Sequence, residues 1–150
     1  MGQTLTQIYL HLIFCTKNRY PYIDTGIEKE LHAYIGGIIK QQKGIPMCIN
    51  GTSDHIHILC SSPRTVAISD FLKEIKGSSS RWIKTKGIAY KKFEWQDGYG
   101  AFSVSHSQKD KVEKYILNQK AHHEKMTFEK EFVGFLEKHN KEYDERYLWK

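Results

Sequence analysis

The chain has 150 residues, of which 39% are hydrophobic and 27% are charged, and this size and composition suit one compact domain. No apolar run reaches the roughly 18 residues that a membrane-spanning helix needs. The N-terminus MGQTLTQIYL lacks the features of a signal peptide, so we expect a cytoplasmic protein with no membrane partner, and the formal net charge of +6 favours polyanions such as nucleic acid.

The first part of the chain predicts a strand, a helix and a hairpin. Residues 8–15, IYLHLIFC, alternate so that one face of a strand is wholly apolar. Thr25 and Glu28 have the spacing of a capping box, and apolar residues at helical spacing follow them. The segments KGIPMCING and HIHILC then indicate two strands joined around residues 51–54.

The next part predicts a helix and a fourth strand. Apolar residues recur at helical spacing over residues 68–83, and YGAFSVS indicates a strand over residues 99–105. The order strand, helix, strand, strand, helix, strand predicts an α+β fold with a ferredoxin-like or RRM-like antiparallel sheet and helices on one face. We expect residues 1–150 to form this single domain. The fold hosts many activities, so it assigns none by itself.

Two further helices are predicted after the fourth strand. Ser107 and Asp110 repeat the capping-box spacing and open a helix over residues 108–123. A last helix starts near Thr127 and carries several phenylalanines. These helices are additional to the ferredoxin-like core.

The third predicted strand holds two histidines, His55 and His57, inside an apolar run. Alternate residues of a strand point to the same face, so the two imidazoles project side by side. Such a pair is either part of a core, with its polar atoms satisfied, or the holder of a divalent ion. A third ligand with matching geometry would favour the second interpretation.

The helix predicted after Ser107 offers such a ligand. Tyr115 and Gln119 share one side of the helix, with Asn118 and His122 near them. This polar stripe is either an ordinary exposed face or the wall of a site. In a site, the amide oxygen of Gln119 would add a neutral ligand to the histidines, and mixed nitrogen and oxygen donors permit Mg²⁺ or Mn²⁺. An ion on a phosphate would make the phenol of Tyr115 an effective nucleophile.

Several segments together resemble the single-tyrosine HUH (His-hydrophobic-His) transposases of small bacterial and archaeal insertion sequences. DHIHIL is similar to the histidine motif, and EKYILNQKAHH is similar to the Tyr-Ile-x-Asn-Gln helix. CTKNRYP, WQDGYGAFSVS and YDERYLW match further segments in the family's order, over nearly the whole chain. The REP-associated relatives resemble the chain too, but they are commonly longer.

The resemblance implies an activity and a role for each site residue. Tyr115 matches the nucleophile that attacks single-stranded DNA at hairpin-flanked element ends and forms a 5′-phosphotyrosine link. His55, His57 and Gln119 match the ligands of the metal ion. The resemblance also implies a homodimer in which the tyrosine helix of one subunit completes the histidine site of the other.

The remaining assignments concern DNA contacts and the other histidines. Basic residues near aromatic ones are candidates for contacts with DNA phosphates, and such contacts make affinity depend steeply on salt. The candidates are Lys17, Arg19, Arg81, Lys84, Lys86, Lys91 and Lys92. His122 and His123 match a histidine-rich stretch of the family without a necessary chemical role, and His11 stays unassigned.

Three other functions remain open at this point. A REP-associated hairpin nickase or a replication-initiator-type HUH nuclease shares the histidine pair. A non-catalytic, RRM-like nucleic-acid-binding module would need aromatic rings exposed on the sheet. A metal-dependent hydrolase that uses water would turn over without a covalent adduct.

Overall fold

A four-stranded antiparallel sheet organises the computed structural model, which describes residues 2–124 and 126–149. The strands are β1 (Tyr9–Cys15), β2 (Ile45–Gly51), β3 (His55–Ser61) and β4 (Gly100–Val104), and they lie in the order β2-β3-β1-β4. The helices are α1 (Glu28–Gln41), α2 (Ile68–Ile83), α3 (Lys109–Leu117), α4 (Gln119–His123), α5 (Phe128–Lys138) and α6 (Glu145–Leu148). The predicted ferredoxin-like, α+β architecture is confirmed.

One face of the sheet is covered by α1 and α2. Even-numbered residues of β1 and β3 are apolar and pack against the buried stripes of these two helices. Fully buried members of this core include Leu12, Ile58, Leu31, Phe71 and Ile75. The alternation that predicted β1 therefore reflects a real apolar layer.

The opposite face of the sheet is covered by the helices of the C-terminal part. α3 contributes Ile116 to this layer, and α5 contributes Phe128 and Leu136. The odd-numbered residues of β1 and β3 point here, among them His11 and His57. The histidines of the sheet are therefore buried between β-strands and α5.

The first predicted capping box is wrong. α1 begins at Glu28, and no side chain at its N-cap residue, Ile27, makes a capping bond. The side chain of Asp24 instead accepts hydrogen bonds from the backbone N–H groups of Gly26 at 2.9 Å and Ile27 at 3.1 Å. Asp24 satisfies these donors because it precedes the turn that leads into the helix.

The helix predicted over residues 108–123 is two helices. α3 ends at Leu117, and Asn118 has φ −96° and ψ 17° before α4 begins. The side chain of Asn50 donates to the last carbonyls of α3, at 2.9 Å to Ile116 and 3.2 Å to Leu117, which ends the helix there. Ser107 makes no capping bond, so the second capping box is also wrong.

The start of the last long helix is predicted correctly. Thr127 is the N-cap of α5, and its hydroxyl accepts from the backbone N–H of Lys130 at 3.3 Å. Across the described residues, no helix combines the length and the apolar character that crossing a membrane requires.

Candidate active site

His55 and His57 lie on strand β3, and their side chains point to the face of the sheet that α5 covers. Both side chains are fully buried, and their ring centroids are 5.3 Å apart. The turn before them is tight, since a Cβ atom on Gly51 would lie 2.1 Å from the backbone oxygen of His55. Glycine at position 51 is therefore a requirement for the position of His55.

Each of the two imidazoles is oriented through its Nδ1 atom, so that Nε2 faces the interior of the site. Nδ1 of His55 lies 2.7 Å from Oδ1 of Asp54 and 2.9 Å from Oγ1 of Thr52. Nδ1 of His57 lies 2.8 Å from Nε2 of His11. Histidines that bind metal ions are commonly held through their second nitrogen in this way. His11, unassigned from sequence, thus has a positioning contact.

Burial keeps the inner histidines uncharged. Desolvation lowers the pKa of His57 to about 4, although hydrogen bonding to Glu131 opposes the shift. Desolvation and the neighbouring His57 lower the pKa of His11 to about 3. Both rings are therefore neutral at neutral pH, which is the form that can ligate a metal ion.

Helices α3 and α4 bring Tyr115 and Gln119 onto this histidine pair, within the same chain. Oε1 of Gln119 lies 3.2 Å from Nε2 of His55, and the Gln119 side chain is fully buried. The ring of half-buried Tyr115 lies 5.8 Å from that of His57, centroid to centroid. The four residues singled out from sequence are therefore neighbours, with the tyrosine in cis.

A carboxylate that the sequence analysis did not single out lies at the centre of the cluster. Glu131 of α5 is 3% exposed. Its Oε1 lies 2.8 Å from Nε2 of His57 and 3.1 Å from Nε2 of His123. Its Oε2 accepts hydrogen bonds from the hydroxyl of Tyr115 and, at 3.2 Å, from the amide of Gln119.

The charge of this carboxylate shapes the titration of its neighbours. Burial opposes ionisation of Glu131, but the adjacent His123 and the hydrogen bond with His57 hold its pKa well below the usual range. Burial, the hydrogen bond to Glu131 and the charge of that group raise the pKa of Tyr115 far above its usual value. The phenol is therefore protonated at neutral pH and donates to an ionised carboxylate.

A signal for Glu131 exists in the sequence. Phe128, Phe132 and Phe135 form an apolar stripe at helical spacing, and Glu131 falls inside that stripe. An acidic residue on the buried stripe of a helix requires a partner of its own. The partners of Glu131, however, come from distant parts of the chain. The stripe therefore indicates that Glu131 needs a partner but does not indicate which residues provide it.

The residues present fit a divalent metal ion. His55, His57, His123 and Glu131 each offer one ligand atom, and these atoms all lie within 4.8 Å of one another. Nε2 of His123 is buried and has no hydrogen-bond partner among the described residues, because its approach to Glu131 lacks hydrogen-bond geometry. Buried polar atoms are normally paired, so this nitrogen is available to a ligand.

A pocket of about 480 Å³ opens beside the nucleophile candidate. Tyr115 and Glu131 line it, together with three exposed lysines, Lys111, Lys130 and Lys138. A phosphate group that approached Tyr115 through this pocket would meet positive charge. The sequence analysis did not single out these lysines.

The basic residues predicted to contact DNA lie elsewhere. Arg19 is 2.8 Å from Glu129 of α5 and lies over the ring of Trp149, and Lys17 is 3.2 Å from Glu94. The other five lie at the end of α2 or in the turns that follow it: Arg81, Lys84, Lys86, Lys91 and Lys92. Because α2 covers the opposite face of the sheet, these five are not brought together with Tyr115.

Comparison with known proteins identifies the family of this chain. A sequence model of the family described as "Transposase IS200 like" matches residues 4–119, which end at Gln119. The ISDra2 transposase TnpA of Deinococcus radiodurans is 28% identical over 121 residues, which are 75% of this chain and 84% of that protein.

Two solved structures share the fold. A protein from Deinococcus radiodurans R1 has a TM-score of 0.62 at 24% identity, and the match covers 79% of this chain and 96% of that one. A REP-associated tyrosine transposase bound to a REP hairpin has a TM-score of 0.60 at 16% identity, covering 82% of this chain and 74% of its own. The chain belongs to the IS200-like transposases, which are single-tyrosine HUH enzymes that cut and transfer single-stranded DNA.

Proposed function

We propose that this chain is a single-domain transposase that cleaves and rejoins single-stranded DNA through Tyr115. The observation that carries the proposal is the convergence of a phenol, two buried imidazoles and a buried amide beside a basic pocket. Family membership supplies the class of reaction, and these groups supply a nucleophile and metal ligands. The residues are Tyr115, His55, His57 and Gln119.

In the proposed step, the hydroxyl oxygen of Tyr115 attacks the phosphorus of a DNA phosphodiester. A bond forms between the tyrosine oxygen and phosphorus, and the bond from phosphorus to the 3′ oxygen breaks. The phenol loses its proton and the departing 3′ oxygen gains one, so the number of protons is unchanged. The resulting 5′-phosphotyrosine conserves the phosphodiester bond. A 3′-hydroxyl of the same or another strand then reverses the step without a high-energy cofactor.

We propose that His55, His57 and Gln119 hold Mg²⁺ or Mn²⁺. Such an ion, when bound, neutralises charge on the non-bridging oxygens of a scissile phosphate. The imidazole of His57 stays uncharged at neutral pH, since burial lowers its pKa to about 4. The chain also fixes the direction of both imidazoles, since Asp54 and His11 contact the Nδ1 atoms.

DNA that carries imperfect hairpins is the proposed partner. In support, the REP-associated transposase of similar fold is bound to a REP hairpin. We propose that Lys111, Lys130 and Lys138 contact phosphates near the cleavage point, because they line the pocket of Tyr115. The basic residues predicted from sequence would contact DNA farther from that point: Lys17, Arg19, Arg81, Lys84, Lys86, Lys91 and Lys92.

We further propose a homodimer in which α3 of one subunit completes the histidine site of the other, as the family resemblance implies. In the single chain, Tyr115 lies in cis against its own His57. A site completed in trans therefore requires α3 to leave this position. The non-helical residue Asn118 and the turn at His106–Gln108 flank α3 and are where the chain would bend.

Mixing two inactive variants distinguishes cis from trans. His57→Ala keeps the tyrosine and Tyr115→Phe keeps the histidines, so a mixed dimer has one intact site only if the two come from different subunits. Recovery of cleavage on mixing supports trans completion. Two variants that form mixed dimers but stay inactive would establish the cis arrangement.

The nucleophile is tested with a labelled single strand taken from the imperfect palindromes that flank the gene. With Mn²⁺ or Mg²⁺, a denaturing gel should display a slow-moving protein–DNA adduct that disappears with EDTA and with Tyr115→Phe. Tyr99→Phe, an exposed tyrosine away from the site, should leave the adduct unchanged. Cleavage that yields no adduct, or an adduct that persists in Tyr115→Phe, would refute the proposal.

A further inference from the structure

We propose that Glu131, together with His123, completes the metal site of this transposase from the segment that follows the family-matched residues. This inference rests on the proposed function of the histidine pair. It adds two ligands that the motif spacing does not assign, because the family match ends at Gln119. The C-terminal part of the chain thereby becomes part of the catalytic centre.

Three imidazole nitrogens surround one oxygen of Glu131. Oε1 lies 2.8 Å from Nε2 of His57, 3.1 Å from Nε2 of His123 and 3.7 Å from Nε2 of His55. Ligand atoms that bind one ion at about 2.1 Å lie about 3.0–3.4 Å from one another. The distances from Oε1 to His57 and His123 are near this range, and all four ligand atoms lie within 4.8 Å of one another.

The unpaired nitrogen of His123 gives a second, independent indication. Its side chain is 10% exposed, and Nε2 is buried without a hydrogen-bond partner among residues 2–124 and 126–149. A histidine that served only to neutralise Glu131 would aim an N–H at the carboxylate. A lone pair directed to an ion explains both the burial and the missing hydrogen bond.

Charge also favours a carboxylate in the ligand set. His55, His57 and Gln119 are all neutral ligands, so by themselves they leave a divalent ion uncompensated in a buried place. Glu131 supplies one negative charge. With Nε2 of His57 directed to an ion, the ring would carry its proton on Nδ1, and Nε2 of His11, 2.8 Å away, would accept a hydrogen bond from it.

The second oxygen of the same carboxylate contacts the nucleophile. Oε2 of Glu131 accepts from the hydroxyl of Tyr115, and the amide of Gln119 donates to it at 3.2 Å. One side chain therefore spans the ligand cluster and the attacking oxygen. Glu131 is in this sense also a positioning residue for Tyr115.

The test measures metal binding by the full chain without DNA. Mn²⁺ is titrated and its free fraction is followed by electron paramagnetic resonance. Wild type should bind one ion, and Glu131→Gln, which keeps the shape and removes the charge, should weaken binding at least tenfold, since even outer contacts of metal sites cost about 10–100-fold. Glu137→Gln makes the same charge change at an exposed position of α5 and should bind as wild type.

The bound-state spectrum identifies the ligands directly. Nitrogen modulation of the Mn²⁺ signal should indicate three imidazoles in wild type and two in His123→Gln. Should Glu131→Gln fail to fold, Glu131→Asp retains the charge, shortens the reach by one methylene and should also lose affinity.

The outcomes separate this inference from the proposed function. Equal Mn²⁺ affinity in wild type and Glu131→Gln, with binding lost in His57→Ala, would overturn the role of Glu131 and leave the histidine site intact. A wild-type chain that binds no divalent ion would instead overturn the metal dependence in the proposed function.

Discussion

A single methyl group at Gly100 should disturb the proposed metal site from a distance. A Cβ atom at Gly100, the first residue of β4, would lie 2.7 Å from Cε2 of Phe132 and 3.0 Å from Cε2 of Phe102. Carbon atoms in contact are about 3.5–4.0 Å apart, so the Phe132 ring or its helix must move by roughly 1 Å. Phe128 and Trp149 lie beside that ring, at centroid distances of 5.8 and 5.9 Å, and limit its freedom to turn away.

The expected cost of Gly100→Ala is about 1–3 kcal/mol in the free energy of unfolding, the usual range for an overpacked core. Glu131 precedes Phe132 on α5, so the same shift moves its carboxylate away from Nε2 of His57, now 2.8 Å distant, and Mn²⁺ affinity should fall severalfold. Urea unfolding in EDTA measures the first effect, and Mn²⁺ titration measures the second.

Gly134→Ala is the matched control for the same added methyl group. Gly134 lies inside α5, and a Cβ atom there has nothing within 4 Å. Alanine should therefore stabilise the helix, by about 0.5–1 kcal/mol. If Gly100→Ala were as stable as wild type and bound Mn²⁺ equally well, the close approach of β4 to α5 would be refuted.

Three further predictions concern pH, the tyrosine helix and DNA binding. Lowering the pH from 6.5 to about 4 should destabilise the metal-free chain, because the unfolded state takes up protons that buried His11 and His57, with pKa values of about 3 and about 4, do not accept. The free energy of unfolding is therefore highest above pH 6.5 as far as these two histidines are concerned. Urea unfolding in EDTA should give a lower free energy at pH 5 than at pH 7, and equal free energies would contradict the prediction. Asn50→Ala should cost about 1 kcal/mol, because it leaves the last carbonyls of α3 unpaired, and hydrogen exchange in α3 should quicken. Lys111→Ala should weaken single-strand binding and reduce the salt slope by about 0.7, whereas Lys29→Ala on α1 should change neither in anisotropy titrations.

The fold was largely predictable because burial imposes simple periods on the sequence. The alternation in β1 arises because Leu10, Leu12 and Phe14 pack against α1 and α2, whereas the residues between them, His11 included, face the C-terminal helices. The capping predictions failed at Thr25 and Ser107 because a spacing of three residues does not determine which side chain reaches the free N–H groups. At α1 that side chain is Asp24, and at α3 no side chain does so.

The candidate site was predictable only where local geometry determines it. Alternation places His55 and His57 on one face, and helical spacing brings Tyr115 and Gln119 to one side, across the break at Asn118. Glu131 contacts His57 across 74 residues of sequence, and that contact depends on where α5 crosses the sheet. No local sequence pattern determines where α5 crosses the sheet, so the central carboxylate of the site, Glu131, could not be predicted.

Gln119 and Glu131 therefore differ in that only Gln119 could be predicted from local sequence patterns. Gln119 has one amide oxygen, which faces His55, and its NH₂ group donates to Glu131, so as a proposed ligand it would also orient the carboxylate. Glu131 has two oxygens and can bind an ion with one while it holds Tyr115 with the other. Because the carboxylate comes from α5, the position of the Tyr115 hydroxyl depends on a helix outside the family-matched residues 4–119.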